Sequence, residues 1–467
     1  MSPLIRLLNA YFPRRTFFLG ISEGLLIGLA FIVAAIARLG ATDASVMLSY
    51  EQGFLKVLVV AGAFVLCMYY FDLYDSAILS NRREVLSRLV QVLGTACLVL
   101  AVLYYVYPPL ELGRGIFLIG TAFVAVVLFL WRRLFLVINS ASRFADRVLI
   151  LGDGLLAEPL SKEISQRPEL ALNVIGHISE QNDGVAENWS LEDDERVADL
   201  PRFVRSHKID RIIVAMSDRK GKLPIEQLLA AKSRGVLVQD ATEVYEAITG
   251  KVPLESLRLG WLLFSPSFSD FRFVLIYKRL VDVLVSMIGL LLSLLLVPFI
   301  ALAIKLSSPG PILYRQKRVG REGIVFNCYK FRTMRADAEA DTGATWAADD
   351  DPRITKVGSF LRSSRFDEIP QLWNVLMGDM SLVGPRPERP EFVEWLSREI
   401  PHYNVRHTIR PGITGWAQVR YRYGSSIEDS KEKLRYDLFY VKNISPGFDL
   451  LILFYTIKII LLGRGAK

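Results

Sequence analysis

Three cysteines in 467 residues are too few to staple a secreted fold, and two of them, Cys67 and Cys97, lie inside apolar runs. Their spacing gives neither a disulfide framework nor a metal-binding pattern, so the soluble parts suit a reducing compartment. Histidine is as scarce, with four in the chain. His402 and His407 are close in sequence, but neither has a ligand partner at useful spacing, which leaves structural or phosphate-side roles. A Tyr-x-x-x-Lys pair occurs nowhere. The catalytic pair of short-chain dehydrogenases and epimerases is therefore absent. No cleavable leader is expected: the first apolar run follows Arg14-Arg15 but has no small-residue cleavage site, and further runs follow it.

What is present is apolar and charged in alternation. The chain is 52% hydrophobic and 22% charged, which suggests membrane segments alternating with soluble domains, two or three in all. A net charge of +8 could serve nucleic acid or an anionic membrane. Lysine and arginine cluster beside the apolar runs, which favours the membrane and argues for no nucleic acid. Four runs, Phe17–Ala37, Phe54–Phe71, Leu89–Tyr107 and Ile116–Ile138, are each close to the ~20 residues of a spanning helix. Arg6, Arg14 and Arg15 precede the first, Arg82, Arg83 and Arg88 separate the second from the third, and Arg132, Arg133, Arg143 and Arg147 follow the fourth. The other two loops are nearly bare of positive charge, so both ends of this bundle are expected to face the cytoplasm. Glu23 inside the first run is either a buried functional group or a structural one.

Beyond Asp146 the composition turns soluble. Arg147–Leu151, Ile209–Ala215 and Val236–Val238 read as strands with helical stretches between, the alternation of a parallel α/β sheet. Gly152-Asp153-Gly154-Leu155-Leu156-Ala157 fits a dinucleotide fingerprint, with Gly152 and Gly154 as weak cofactor-binding candidates and Glu180 as a loosely spaced ribose ligand. Cofactor binding and a Rossmann-like module kept for regulation or assembly both remain open.

Leu280 to Leu306 is almost unbroken apolar sequence, flanked by Lys278 and Arg279 on one side and by Lys305, Arg315, Lys317 and Arg318 on the other. A straight crossing would strand one neighbouring soluble domain outside. Pro298, near the middle, can bend the helix. A re-entrant helix that enters and leaves the same leaflet satisfies charge, topology and proline together. The last apolar stretch, Phe448 to Leu462, is short for a span and is expected to lie in the interface.

The stretch from Ser364 to Gly378 carries the chemistry. Ile369, Leu372, Trp373, Leu376 and Met377 recur at helical spacing, predicting a short helix with one buried face, stopped by Gly378. Asp367 would then sit near the N-cap with Glu368 beside it, ionised under the helix dipole and nearby arginines. Around this pair lie Tyr329-Lys330-Phe331-Arg332-Thr333-Met334, Arg362, Gly384-Pro385-Arg386-Pro387 and Arg410-Pro411-Gly412-Ile413-Thr414-Gly415-Trp416. Rigid arginines beside two carboxylates are what phosphoryl chemistry needs. These motifs, in this order from about Phe273 to the C-terminus, resemble the bacterial sugar transferases, the monotopic phosphoglycosyl transferases that load a hexose-1-phosphate onto a polyprenyl phosphate. The layout resembles the larger members that initiate exopolysaccharide or O-antigen units. One departure is Val297, where the family often has a serine before the proline.

The resemblance implies a membrane protein of three parts. These are a four-helix transmembrane bundle (1–143), a cytoplasmic Rossmann-like α/β domain (144–268), and a mainly α catalytic domain (269–467) with a re-entrant helix at about 278–306. It implies transfer from a UDP-sugar to undecaprenyl phosphate in the bacterial inner membrane, with UMP released and an aspartyl-phosphosugar intermediate. UDP-glucose and UDP-galactose are the expected donors, Mg2+ the expected cofactor, and self-association as a dimer stays open. Asp367 would be the nucleophile, Glu368 with Asp367 the metal ligands, and Lys330, Arg332, Arg362, Arg386 and Arg410 the substrate-binding groups. The α/β domain is expected to be dispensable for chemistry, so that a fragment starting near Ser269 stays active. An oxidoreductase or epimerase using the Gly152 turn, and a non-catalytic assembly scaffold, are the alternatives.

Overall fold

The computed structural model describes residues 4–7, 10–75, 78, 82–140, 145–178, 200–216, 223–256, 271–335, 351, 353–421, 424 and 426–462. The chain divides into two compact units, one running to Ala241 and the other from Thr242, with Arg6–Ala10 grouped with the second.

After two short paired strands, Leu4–Leu7 and Ala10–Pro13, the described residues form the helices α1 (Arg14–Leu39), α2 (Ala41–Tyr50), α3 (Gly53–Tyr70), α4 (Arg82–Val106) and α5 (Arg114–Ser140). All but the short α2, which the apolar pattern does not announce, are long and apolar enough to cross a membrane. Phe31, Phe64, Val92 and Leu128 are wholly buried between helices, whereas Leu25, Leu58 and Leu118 are more than half exposed. That is the pattern of a bundle whose outer solvent is lipid. Glu23 is fully buried and lies 2.7 Å from Arg132 Nε. Arg132 also donates to the Leu73 carbonyl at 2.9 Å. The pair is a staple between α1 and α5, and losing one partner of such a buried pair costs about 3–5 kcal/mol.

A parallel sheet follows, built from β1 (Asp146–Leu151), β2 (Leu172–Ile178), β3 (Arg211–Val214) and β4 (Leu237–Asp240) in the order β2-β1-β3-β4. The α/β reading holds, with β2 as an added strand. The glycine turn serves the sheet. Gly152 has φ +98°, and a Cβ there would stand 2.7 Å from the Met216 side chain. Its N–H donates to Ile178 O at 2.7 Å, and that of Gly154 to Ala215 O at 2.9 Å. Both amides that would cradle a phosphate are thus engaged by neighbouring strand ends. Glu180 lies outside the described residues.

The second unit begins in α6 (Ala241–Thr249) and continues through α7 (Phe271–Ser293), α8 (Val297–Ser307) and an antiparallel hairpin, β5 (Leu313–Val319) with β6 (Val325–Phe331). Next come α9 (Lys356–Ser363), α10 (Gln371–Met377), β7 (Ser381–Val383), α11 (Pro390–Glu399), β8 (Gly412–Thr414) and three helices, α12 (Trp416–Arg420), α13 (Ile427–Asn443) and α14 (Pro446–Leu461). Strands β7 and β8 pair in parallel, so the unit is mainly α with two small sheets.

Helices α7 and α8 meet at 63°. The break falls at residues 294–296, and Pro298 sits in the first turn of α8, where its missing N–H costs nothing. The expectation that proline bends a continuous helix is corrected in this respect. Ser293 Oγ donates to Leu290 O at 2.7 Å, and Leu296 N–H to Ser293 O at 2.8 Å, closing the turn at the end of α7.

Helix α6 and the segment after it are tied into this unit. Trp416 Nε1–H donates to Gly250 O at 2.9 Å, Lys442 pairs with Glu246 at 2.7 Å, and Arg435 pairs with Glu255. A fragment starting near Ser269, a position outside the described residues, would discard these contacts. We expect a fragment starting at Thr242 to melt several degrees higher in detergent, the consequence of about 1–2 kcal/mol of retained hydrogen bonding. Equal melting temperatures would show the segment to be passive.

Candidate active site

Asp367 and Glu368 lie not at a helix N-cap but in a 3-10 turn, Phe366–Glu368, entered through Arg365 at φ 60°. Pro370 delays the α-helix to Gln371, so the dipole argument for the pair falls away. The buried face of α10 is mixed, with Val375 buried alongside two polar side chains. Gln371 and Asn374 are buried, while Trp373 is 49% and Met377 54% exposed. The helical period holds, but the apolar stripe is only partly covered: Leu372 and Leu376 are half-buried, Leu372 lying beside Gly289 of α7, and Trp373 and Met377 are open. Asn374 is the anchor: it accepts from Tyr329 N–H at 3.1 Å and donates to Asn327 O at 2.7 Å, fastening α10 to β6. Gly378, at φ +95°, ends the helix as expected.

The two carboxylates have opposite environments. Glu368 Oε1 accepts from Lys330 Nζ at 2.9 Å and from Arg386 at 3.1 Å, with Arg365 at 3.9 Å. Burial alone would raise its pKa, but Lys330, Arg386 and Arg365 together hold it well below the usual range. Asp367 is as deeply buried, at 7% exposure, and its Oδ1 has no hydrogen-bond partner among the described residues. Burial raises its pKa above 3.8, the neighbouring Glu368 adds to that, and Lys330 opposes it. Asp367 is therefore the more basic carboxylate, contrary to the expectation that dipole and arginines hold it down. Glu368 collects the cations; Asp367 Oδ1 is left open.

Of the expected cations, Lys330 and Arg386 meet the pair. Arg332 does not: it donates to Pro309 O at 3.0 Å and Ser308 O at 2.7 Å, clamping the exit of α8. Arg362 donates through Nε to Thr333 Oγ1 at 3.1 Å. Arg410 opens β8, grouped with Arg279, Arg321 and Asp282 instead of the carboxylates. His402 is exposed, and burial with the adjacent Arg406 pushes His407 down to about 4, so His407 is neutral at neutral pH.

Several residues that the sequence reading passed over position the site. Arg406 is buried and donates to Arg386 O at 2.9 Å while pairing with Asp437 at 2.8 Å. Arg318 donates to Pro387 O at 3.0 Å, pinning the same loop from β5. The glycine-turn motifs are explained by contact between them: Gly412 N–H donates to Pro385 O at 2.9 Å, and a Cβ on Gly412 would stand 2.1 Å from Gly384 N. On α7, Arg279 donates to Val375 O and Leu376 O at 2.6 and 2.8 Å, and Asp282 accepts from Leu382 N–H at 2.9 Å. The apolar helix thus holds both α10 and β7.

The site thus combines a buried carboxylate with an unpartnered oxygen and a second carboxylate ringed by three cations, beside an apolar bent helix pair. The chain belongs to the bacterial sugar transferase family, whose model matches residues 273–463; a model described as a CoA-binding domain matches 69–230. It is 42% identical over 188 residues to an exopolysaccharide production protein, PSS, of Rhizobium leguminosarum bv. phaseoli, covering 39% of this chain and 94% of that one. It is 45% identical over 228 residues to the UDP-N-acetylgalactosamine-undecaprenyl-phosphate N-acetylgalactosaminephosphotransferase of Aeromonas hydrophila, covering 48% of this chain and 52% of the relative. It is 33% identical over 316 residues to the UDP-glucose:undecaprenyl-phosphate glucose-1-phosphate transferase of Escherichia coli K12, covering 66% of each. The matched part thus spans about half the length of the Aeromonas protein and just under two thirds of that from Escherichia coli.

Proposed function

We propose that the chain transfers a hexose-1-phosphate from a UDP-sugar to undecaprenyl phosphate, releasing UMP, through a phosphosugar on Asp367. The observation that carries this reading is the unpartnered, buried Oδ1 of Asp367 beside the cation-bound Glu368. In the first half-reaction Asp367 Oδ1 attacks the β-phosphorus. A P–O bond forms, the bond to the bridging oxygen breaks, and UMP leaves with the electron pair. In the second, an oxygen of the lipid phosphate attacks the same phosphorus and expels the Asp367 carboxylate. Arg386 and Lys330 face the charge that develops on the phosphate oxygens.

The pair also fits Mg2+: it offers hard oxygen donors, one of them unpartnered, and this ion commonly takes one or two carboxylates and completes its shell with substrate oxygens and water. Asp367 and Glu368 would hold it with substrate oxygens and water, since among the described residues no group of three or more His, Cys, Asp or Glu is placed to hold a metal without them. When bound, the ion neutralises diphosphate charge.

We further place α7 and α8 as a re-entrant element. From Leu280 to Ser293 the helix rises only about 21 Å, short of the ~30 Å hydrocarbon core, and the 11 residues of α8 rise about 16 Å. Neither apolar arm is long enough to cross by itself, which supports the re-entrant reading. In a cysteine-free background, Tyr277→Cys and Lys317→Cys, both exposed positions flanking the pair, are expected to resist an impermeant maleimide in intact cells and to react in inverted vesicles. Labelling of one alone in intact cells would mean a true crossing.

UMP release from the full chain in nanodiscs, scanned over UDP-glucose, UDP-galactose and UDP-N-acetylgalactosamine with undecaprenyl phosphate, tests the reaction and identifies the sugar. Absence of UMP with every donor would leave the scaffold reading.

A further inference from the structure

A second cationic pocket lies apart from the carboxylate pair, at the foot of α7. It is lined by Lys278, Asp282, Arg321, Thr408 and Arg410; its interior has about 10 Å³, the room of one water, so a larger anion would sit at its mouth against the two arginines. Most of its charge is already matched. Lys278 pairs with Asp449 at 2.7 Å, and Asp282 is taken by Ser381 Oγ at 3.1 Å and Leu382 N–H at 2.9 Å. The nearby Arg279 is bound to two carbonyls of α10. Two guanidiniums are left over. Arg410 has no hydrogen bond or ion pair among the described residues, and Arg321 meets only Glu322, at 2.8 Å, in a pair exposed to water. Such a surface pair contributes little. Burial, then the closeness of Arg279 and Arg321, pushes the Arg410 guanidinium below its ordinary pKa. A pocket that crowds like charges in this way is complementary to an anion with several oxygens.

The surroundings select the anion. Lys278 and Arg279 immediately precede the apolar run of α7, which sets the pocket at headgroup depth. Ile324, in the same hairpin turn as Arg321, is 68% exposed, and Leu280 on α7 is 66% exposed. Cations within and apolar side chains beside them match a ligand with a charged head and a hydrocarbon tail.

We propose that Arg321 and Arg410 form a docking site for the phosphate monoester of a membrane lipid, distinct from the Asp367–Glu368 pair. Resting on the transferase reading, this site would receive the acceptor lipid at the surface before its phosphate reaches Asp367. The donor diphosphate is left to Lys330 and Arg386.

The test is binding, without donor sugar, to the full chain in phosphatidylcholine nanodiscs. Farnesyl phosphate is the probe, with farnesol and inorganic phosphate as controls. Arg321→Gln and Arg410→Gln are each expected to weaken farnesyl phosphate binding by about tenfold to a hundredfold, the loss of a charge-assisted contact, and to leave farnesol unchanged. Arg321 is 43% exposed on its side chain, so its replacement leaves the fold intact. An unchanged Kd in both variants overturns the proposal. Inorganic phosphate binding as tightly as farnesyl phosphate would make this a soluble-anion site and overturns it as well. If the transferase reading itself fails, no donor yields UMP from the wild type, an outcome separate from either binding result.

Discussion

Asp367→Asn is expected to lose at least about 10⁴-fold in UMP release while folding normally, because an amide cannot form the phosphosugar bond. The stability of this variant makes the prediction sharper. The folded pKa of Asp367 is raised, so the folded state favours the protonated form more than the unfolded chain does. Its contribution is present below the unfolded value and lost as pH rises through the folded one, so at neutral pH the ionised carboxylate is a cost. Asn carries no such cost, and the variant should melt at the same temperature as the wild type or higher. The same raised pKa shifts the acidic limb of the rate profile upward from the ordinary aspartate range. A dead enzyme at least as stable as the active one separates a nucleophile from a structural carboxylate. A variant that keeps a tenth of its turnover contradicts the assignment.

Glu368→Gln should do the opposite to stability. The folded pKa of Glu368 lies below its unfolded value, so its contribution is present above the unfolded value and lost only as the pH falls into the strongly acidic range. Gln leaves Lys330, Arg386 and Arg365 facing one another without their common counter-charge. Breaking a buried pair in this way costs about 3 kcal/mol or more. Turnover should fall by about 10²–10³-fold, as Lys330 and Arg386 lose the geometry in which they meet developing phosphate charge. Thermal unfolding beside steady-state rates checks both. A Glu368→Gln protein that melts like the wild type would show that the cations are held by other groups.

Much of this was readable in the chain. Apolar runs of spanning length became four long helices, and alternating strands and helices became a parallel sheet, because both signals are local and repeat. Strand β2 escaped notice because Asn173, Gly176 and His177 interrupt its apolar character. The hairpin strand Leu313–Val319 carries Arg315, Lys317 and Arg318, which read as membrane-flanking charge before they read as a strand. On α10 a period of 3.6 marks one apolar face, but periodicity does not say whether protein or lipid covers it, and here the answer is divided, with Leu372 half-buried beside α7 and Trp373 and Met377 exposed. Position Pro370 decided whether the carboxylates capped a helix or preceded one, a matter of two residues. Arg406, Asp437 and Asn374 were invisible for another reason: their partners lie tens of residues away, and a lone charged or amide side chain has no local signature of burial.

The most direct measurement is the mass of the protein after brief exposure to UDP-sugar without lipid acceptor. A covalent route predicts a burst of UMP equal to the enzyme present and a mass increase of one hexose phosphate, mapped to the peptide containing Asp367 and discharged when polyprenyl phosphate is added. No burst and no adduct, with turnover appearing only when donor and lipid are both present, would contradict the covalent role of Asp367.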